Sequence, residues 1–110
     1  MGYGLFTRAV LPGLFFIGYA FSAFSADVAI TQKGMQFIPS EVAIAKGDTV
    51  IFTNQDTTTH NIQVVNADGD AVDKGLQRPG EIVKHTFAEP GPYQVHCQIH
   101  PDMLLMVTVK

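Results

Sequence analysis

From Asp27 onward the apolar residues fall in short runs with period-two alternation, and no stretch sustains a helical period. The runs are Asp27–Thr31, Glu41–Ala45, Thr49–Thr53, Asn61–Val65, Ile82–Phe87, Tyr93–Cys97 and Met103–Val109. Between them stand turn-forming clusters: Pro39-Ser40, Lys46-Gly47-Asp48, Asn66–Asp70 and Glu89-Pro90-Gly91-Pro92. Seven to eight short strands at this spacing predict an all-β domain, a β-sandwich with Greek-key connections. The segment Asp70–Glu81, carrying Gly75, Pro79 and Gly80, reads as a surface loop. No internal repeat, low-complexity tract or second domain interrupts the pattern.

Alternation also assigns faces. Tyr93, Val95 and Cys97 share one side of their strand, with Gln94 and His96 on the other. If Val95 faces the core, Cys97 points inward at the strand's end, where a loop begins. In the last strand Leu105, Val107 and Val109 form the core face. Leu104 and Met106 then project from the opposite side, beside the 97–103 loop.

The first 25 residues have a different composition. Arg8 is the lone charge before an apolar run from Ala9 to Phe21, and small residues follow at Ser22, Ala23 and Ser25. That is the layout of an export signal, with cleavage after Ser25. Cleavage after Ala26 would put Phe24 where a small residue is preferred. The run is shorter than the ~20 residues of a membrane span and is broken by Pro12, Gly13 and Gly18. Retention as an N-terminal anchor is the alternative. The expected organisation is a signal over 1–25 and one domain over 26–110, periplasmic and not stably inserted in the membrane after cleavage. Removing Arg8 from the seven basic residues leaves six against ten acidic ones. Such a surface lacks the clustered Lys and Arg that nucleic acid requires.

Cysteine usage sharpens this picture. A single cysteine in an oxidising compartment has no internal disulfide partner, and exposed it would invite oxidation. A buried core thiol is the bland reading, and by itself the commoner one. Here Cys97 is followed at three-residue steps by His100 and Met103, so one loop offers a thiolate, an imidazole and a thioether. His60, in Thr59-His60-Asn61, can supply a second imidazole. These four donors suit copper in both oxidation states, with the thioether as a long axial contact that tunes potential. Met106 competes with Met103 but lies on the outward face of the last strand. His85 and His96 read as surface histidines. A cysteine hydrolase would need a substrate cleft and gives Met103 no role. A structural zinc site commonly uses several cysteines.

At these residues the chain resembles the cupredoxins, small copper proteins of electron-transfer chains. Met35-Gln36-Phe37-Ile38-Pro39 through Gly47-Asp48-Thr49-Val50 is similar to their opening strands, and Gly91-Pro92-Tyr93 through Val109 to their closing ligand strand and loop. The Cys-x2-His-x2-Met spacing, His96 before the cysteine and Pro101 after the histidine are similar to the amicyanin type of loop, with Gln98-Ile99 and Asp102 as departures. The resemblance implies one copper ion held by His60, Cys97, His100 and Met103. It also implies that the Asn61 N–H supports the cysteine sulfur, and that His100 is the electron's exit through an apolar patch with Pro101 and Leu104. A monomeric one-electron carrier follows, not an enzyme, docking near His100 with redox proteins such as a c-type cytochrome or a periplasmic dehydrogenase. Copper handling or resistance is the alternative function.

Overall fold

The computed structural model describes residues 24–110, so nearly all of the expected export signal lies outside the described residues. Nine strands and no helix occur among the described residues: β1 (Asp27–Gln32), β2 (Phe37–Ile38), β3 (Glu41–Ile44), β4 (Thr49–Asn54), β5 (His60–Val65), β6 (Ala71–Gln77), β7 (Ile82–Thr86), β8 (Gly91–His96) and β9 (Leu104–Val109). They form two sheets, ordered β2-β1-β4-β7 and β3-β9-β8-β5-β6. Both are mixed, since β1 runs parallel to β4 and β3 parallel to β9 while the other pairs are antiparallel.

All seven strands expected from alternation are present, each with ends shifted by at most two residues. The correction concerns residues 70–81. Ala71–Gln77 is not loop but β6, the edge strand of the larger sheet, paired with β5 from His60↔Gln77 to Val65↔Ala71. Two features hid it. As an edge it leaves Ala71 through Leu76 exposed on both faces, so no alternation marks it. It also carries a bulge where the register shifts between Asn61 and Gln63, and Gly75 there has φ +90°, a conformation suited to glycine. The remaining extra strand, β2, is only two residues long.

The core lies between the sheets and follows the alternating positions. Ile30, Val50, Phe52, Ile62, Val64, Val95, Leu105, Val107 and Val109 are all buried. Each side chain of this kind contributes roughly 1.5–3 kcal/mol on burial. Phe37 meets Phe52 edge to face at 6.0 Å, and Phe87 meets Tyr93 at 5.0 Å. At one end of the sandwich the apolar layer gives way to a polar one. Gln32, Asn54, His60, Asn61 and Gln77 are all buried there, at the ends of β1, β4 and β6 and the start of β5. Buried polar groups are ordinarily hydrogen-bonded, and the partners that Asn54, His60, Asn61 and the Gln77 Nε2 find build the site, while the Gln32 side chain finds none among the described residues.

Candidate metal centre

Three segments meet at the polar end: the 55–59 loop leading into β5, the 97–103 loop between β8 and β9, and the 33–36 turn between β1 and β2. The first is shaped by Asn54. Its Nδ2 donates to the carbonyls of Thr58 (2.9 Å) and Gln77 (3.0 Å), and its Oδ1 accepts the Asp56 N–H (2.9 Å). An asparagine bonding two residues ahead closes a local turn. Gln77 adds bonds from its own Nε2 to the carbonyls of Phe52 and Glu81. The loop thereby delivers His60, fully buried, at the first position of β5.

The second loop is wound tightly. His100 N–H donates to the Cys97 carbonyl (3.2 Å), and Met103 N–H to the His100 carbonyl (2.9 Å). Two successive turns at three-residue steps fold the loop back on itself, and Met103 shares the lining of one surface depression with His100. Cys97 sits just beyond β8 with its side chain inward and inaccessible to solvent, as the alternation from Val95 predicts. Met103 is 1% exposed, whereas Met106 is 38% exposed.

The structure brings His60, Cys97 and His100 together, their ligating atoms all within 4.8 Å of one another. The two Nδ1 atoms are 3.0 Å apart, and the Cys97 Sγ is 3.7 Å from that of His60 and 3.6 Å from that of His100. A point equidistant from the three atoms lies about 2.0 Å from each, the length of a metal–nitrogen bond and slightly under a metal–thiolate one. The donor set of one soft sulfur and two imidazoles fits a copper ion. His96 and His85 stay apart from it. His96 Nε2 pairs with Gln94 (3.0 Å), and His85 packs edge to face on Phe87 at 4.7 Å. Burial, and then the Lys74 charge, hold His85 below the usual imidazole pKa.

The surroundings lock this triangle. Asn61 N–H points at the Cys97 sulfur at 3.4 Å, and its side chain ties the two loops, accepting the Gln98 N–H and donating to Gln98 Oε1 (3.1 Å). His60 turns its other nitrogen, Nε2, to the Asp56 carboxylate at 2.7 Å. Burial raises the Asp56 pKa. The bonds from His60, Met35 and Gly34 outweigh it, and the net shift is downward. Asp56 was hidden in the sequence inside the polar run Gln55–Thr59. Its four-residue spacing to His60 was the one available signal.

Above the site the surface is apolar. Met35, Ile99, His100, Pro101, Asp102 and Met103 line a shallow depression, and Ile38 and Leu104 flank a neighbouring groove. Met35, Ile38, Ile99 and Leu104 are each between 38% and 48% exposed. Among the triangle's side chains, His100 alone reaches this surface, since His60 and Cys97 are inaccessible.

Among the described residues, a nine-stranded sandwich with a Cys–His–His cluster at one pole, Cys97 and His60 buried and His100 half-buried, defines a small copper-binding domain. Residues 24–110 match the model of the copper-binding proteins of the plastocyanin/azurin family. The chain belongs to that family, the cupredoxins, and its cofactor is one copper ion. It is 30% identical over 83 residues to the plastocyanin of Ulva arasakii, covering 68% of this chain and 85% of that protein. With the amicyanin of Paracoccus denitrificans it shares 33% identity over 85 residues, 76% of this chain and 65% of that one. Among solved structures it is similar to a Cu(I) amicyanin variant (TM-score 0.70, 26% identity, 76% of this chain and 81% of that one). It is also similar to a purple cupredoxin from Nitrosopumilus maritimus (TM-score 0.67, 28% identity, 76% and 99%).

Proposed function

We propose that the protein is a one-electron carrier whose type 1 copper ion would be held by the His60 and His100 imidazoles and the Cys97 thiolate, with the Met103 thioether as a weaker donor that would tune its potential. The observation that carries this reading is the convergence of two imidazole nitrogens on an inaccessible cysteine sulfur, with one of the imidazoles opening onto an apolar surface. Bound copper supplies the Cu(II)/Cu(I) couple. The chain's own contribution is constraint. Asn61 and Asp56 hold the donors in place through hydrogen bonds, which limits rearrangement between oxidation states. His100 gives the electron a short route through the wall of the site, and the apolar rim lets a partner dock closely and briefly.

No substrate cleft is needed, so the protein acts as a carrier and not as an enzyme. Export with cleavage after Ser25, a periplasmic location and a redox protein as partner complete the proposal. Spectroscopy of the Cu(II)-loaded protein tests it. An intense thiolate-to-copper band with narrow copper hyperfine splitting is expected. Weak absorption with ordinary splitting would remove Cys97 from the copper and leave copper handling as the better reading.

A further inference from the structure

We propose that Asp56 is a positioning residue for the metal centre, fixing the tautomer of His60 and biasing copper toward Cu(II). The inference rests on the type 1 reading of the site. A carboxylate accepts hydrogen bonds on both oxygens, and Asp56 uses both. Oδ1 takes the Gly34 N–H at 2.7 Å, while Oδ2 takes the Met35 N–H at 3.1 Å and lies 2.7 Å from His60 Nε2. From below, Asn54 Oδ1 holds the Asp56 N–H at 2.9 Å. The side chain is only 12% exposed, and among the described residues no Lys or Arg is salt-bridged to it. Its charge therefore faces His60 and two amides.

An acceptor-only group at Nε2 demands that Nε2 carry the hydrogen. The Nδ1 lone pair is then presented to the Cys97–His100 side before any metal arrives. A carboxylate behind a metal-bound imidazole also raises its basicity, and the more basic ligand favours the more highly charged ion. The equilibrium Cu(II) + e⁻ to Cu(I) shifts toward Cu(II), and the reduction potential falls.

The same carboxylate organises the docking rim. Gly34 and Met35 both adopt left-handed backbone, with φ +64° and +58°, and the second is a conformation that side chains other than glycine seldom take. Those two successive residues aim their N–H groups at Asp56 and leave the Met35 side chain beside His100. One residue thus connects a buried ligand with the rim through which a partner approaches.

The decisive comparison is Asp56→Asn against the wild-type protein. An amide has a single acceptor oxygen and cannot serve three donors, but it removes the charge with little change in shape. The expected outcome is an intense copper band that persists, with the Cu(II)/Cu(I) preference moved about tenfold toward Cu(I), 59 mV upward for one electron. Asp56→Glu, which keeps the charge, is expected to recover most of that shift. A lower melting temperature with an unchanged potential would reduce Asp56 to a loop brace and overturn the proposal. Nitrogen-15 NMR of wild-type apoprotein needs neither variant nor copper. His60 is expected as the Nε2–H tautomer, and an Nδ1–H tautomer would overturn the inference. Should the wild-type Cu(II) spectrum lack the thiolate band, the type 1 reading fails separately, since the apoprotein tautomer still reports on Asp56.

Discussion

The two ends of β4 are built on the same device and serve different purposes. Before the strand, Asp48 accepts the N–H groups of Ala26 and Ala45, each at 2.9 Å, and so ties the chain's entry into β1 to the end of β3. After the strand, Asp56 accepts those of Gly34 and Met35. Both carboxyl groups have depressed pKa values, with backbone donors contributing at each. What separates them is the third partner of Asp56, a buried imidazole, and the layer beneath. Near Asp48 the core is closed by Val50, Ile44, Phe87 and Val109, whereas near Asp56 it is closed by Gln32, Asn54, Gln77 and His60. Carboxylate capping is thus a general way to pin a loop, and it acquires a role in metal chemistry only where the pinned loop carries a ligand and the core beneath is polar enough to hold it.

The largest test of that division removes the sulfur. Cys97→Ala is expected to abolish the intense visible band altogether, because no other thiol exists in the chain. The fold should survive with a modest loss of stability, since the sandwich is held by the two-sheet core. Persistence of the band would show that the colour does not come from a thiolate. Met103→Leu is milder. It keeps the thiolate and both imidazoles, so colour should remain, while loss of the proposed thioether donor should favour Cu(I) and raise the potential, by about 59 mV for each tenfold change in preference. Voltammetry that returned the wild-type value would exclude the axial role.

How much of this was legible in the sequence follows the same geography. The apolar strands could be read because each buries one face, which imposes a period of two, and Val95 to Cys97 and Leu105 to Val109 fell where alternation puts them. The meeting of Cys97 with His100 was legible because a three-residue step turns a loop back on itself. The edge strand β6 could not be read, since exposure on both faces erases the period and its Gly75 bulge mimics a loop. The supporting polar residues were equally silent. Asn54, Asp56 and Gln77 look like ordinary polar residues until the strand ends are brought together in space. Their partners lie up to 25 residues away in sequence.

The bridge between the two ligand loops gives an intermediate effect. Asn61→Ala keeps the main-chain N–H that faces the Cys97 sulfur, so the thiolate band should change little. It deletes the side-chain acceptor for the Gln98 N–H, leaving a part-buried donor unpaired. Denaturant unfolding should show a loss of about 1–3 kcal/mol. If the band broadens or shifts as much as the stability falls, the loops are less independently fixed than their internal turns suggest.

The smallest expected effect belongs to the distal carboxylate, and its pH dependence decides the comparison. Asp48 has a folded pKa below its ordinary value because its ionised form accepts the Ala26 and Ala45 N–H bonds, so its contribution is fully present above the unfolded value of about 3.9. It is lost as pH falls through the lower folded value. Asp48→Asn, which cannot accept from both amides, should therefore lower the melting temperature by a few degrees at pH 7. The gap from wild type should close in strong acid. The copper spectrum and potential should not move, because Asp48 lies at the pole remote from His60. A shift in potential comparable to that of Asp56→Asn would mean that carboxylate charge acts across the whole sandwich, and the contrast between the two ends of β4 would be one of degree.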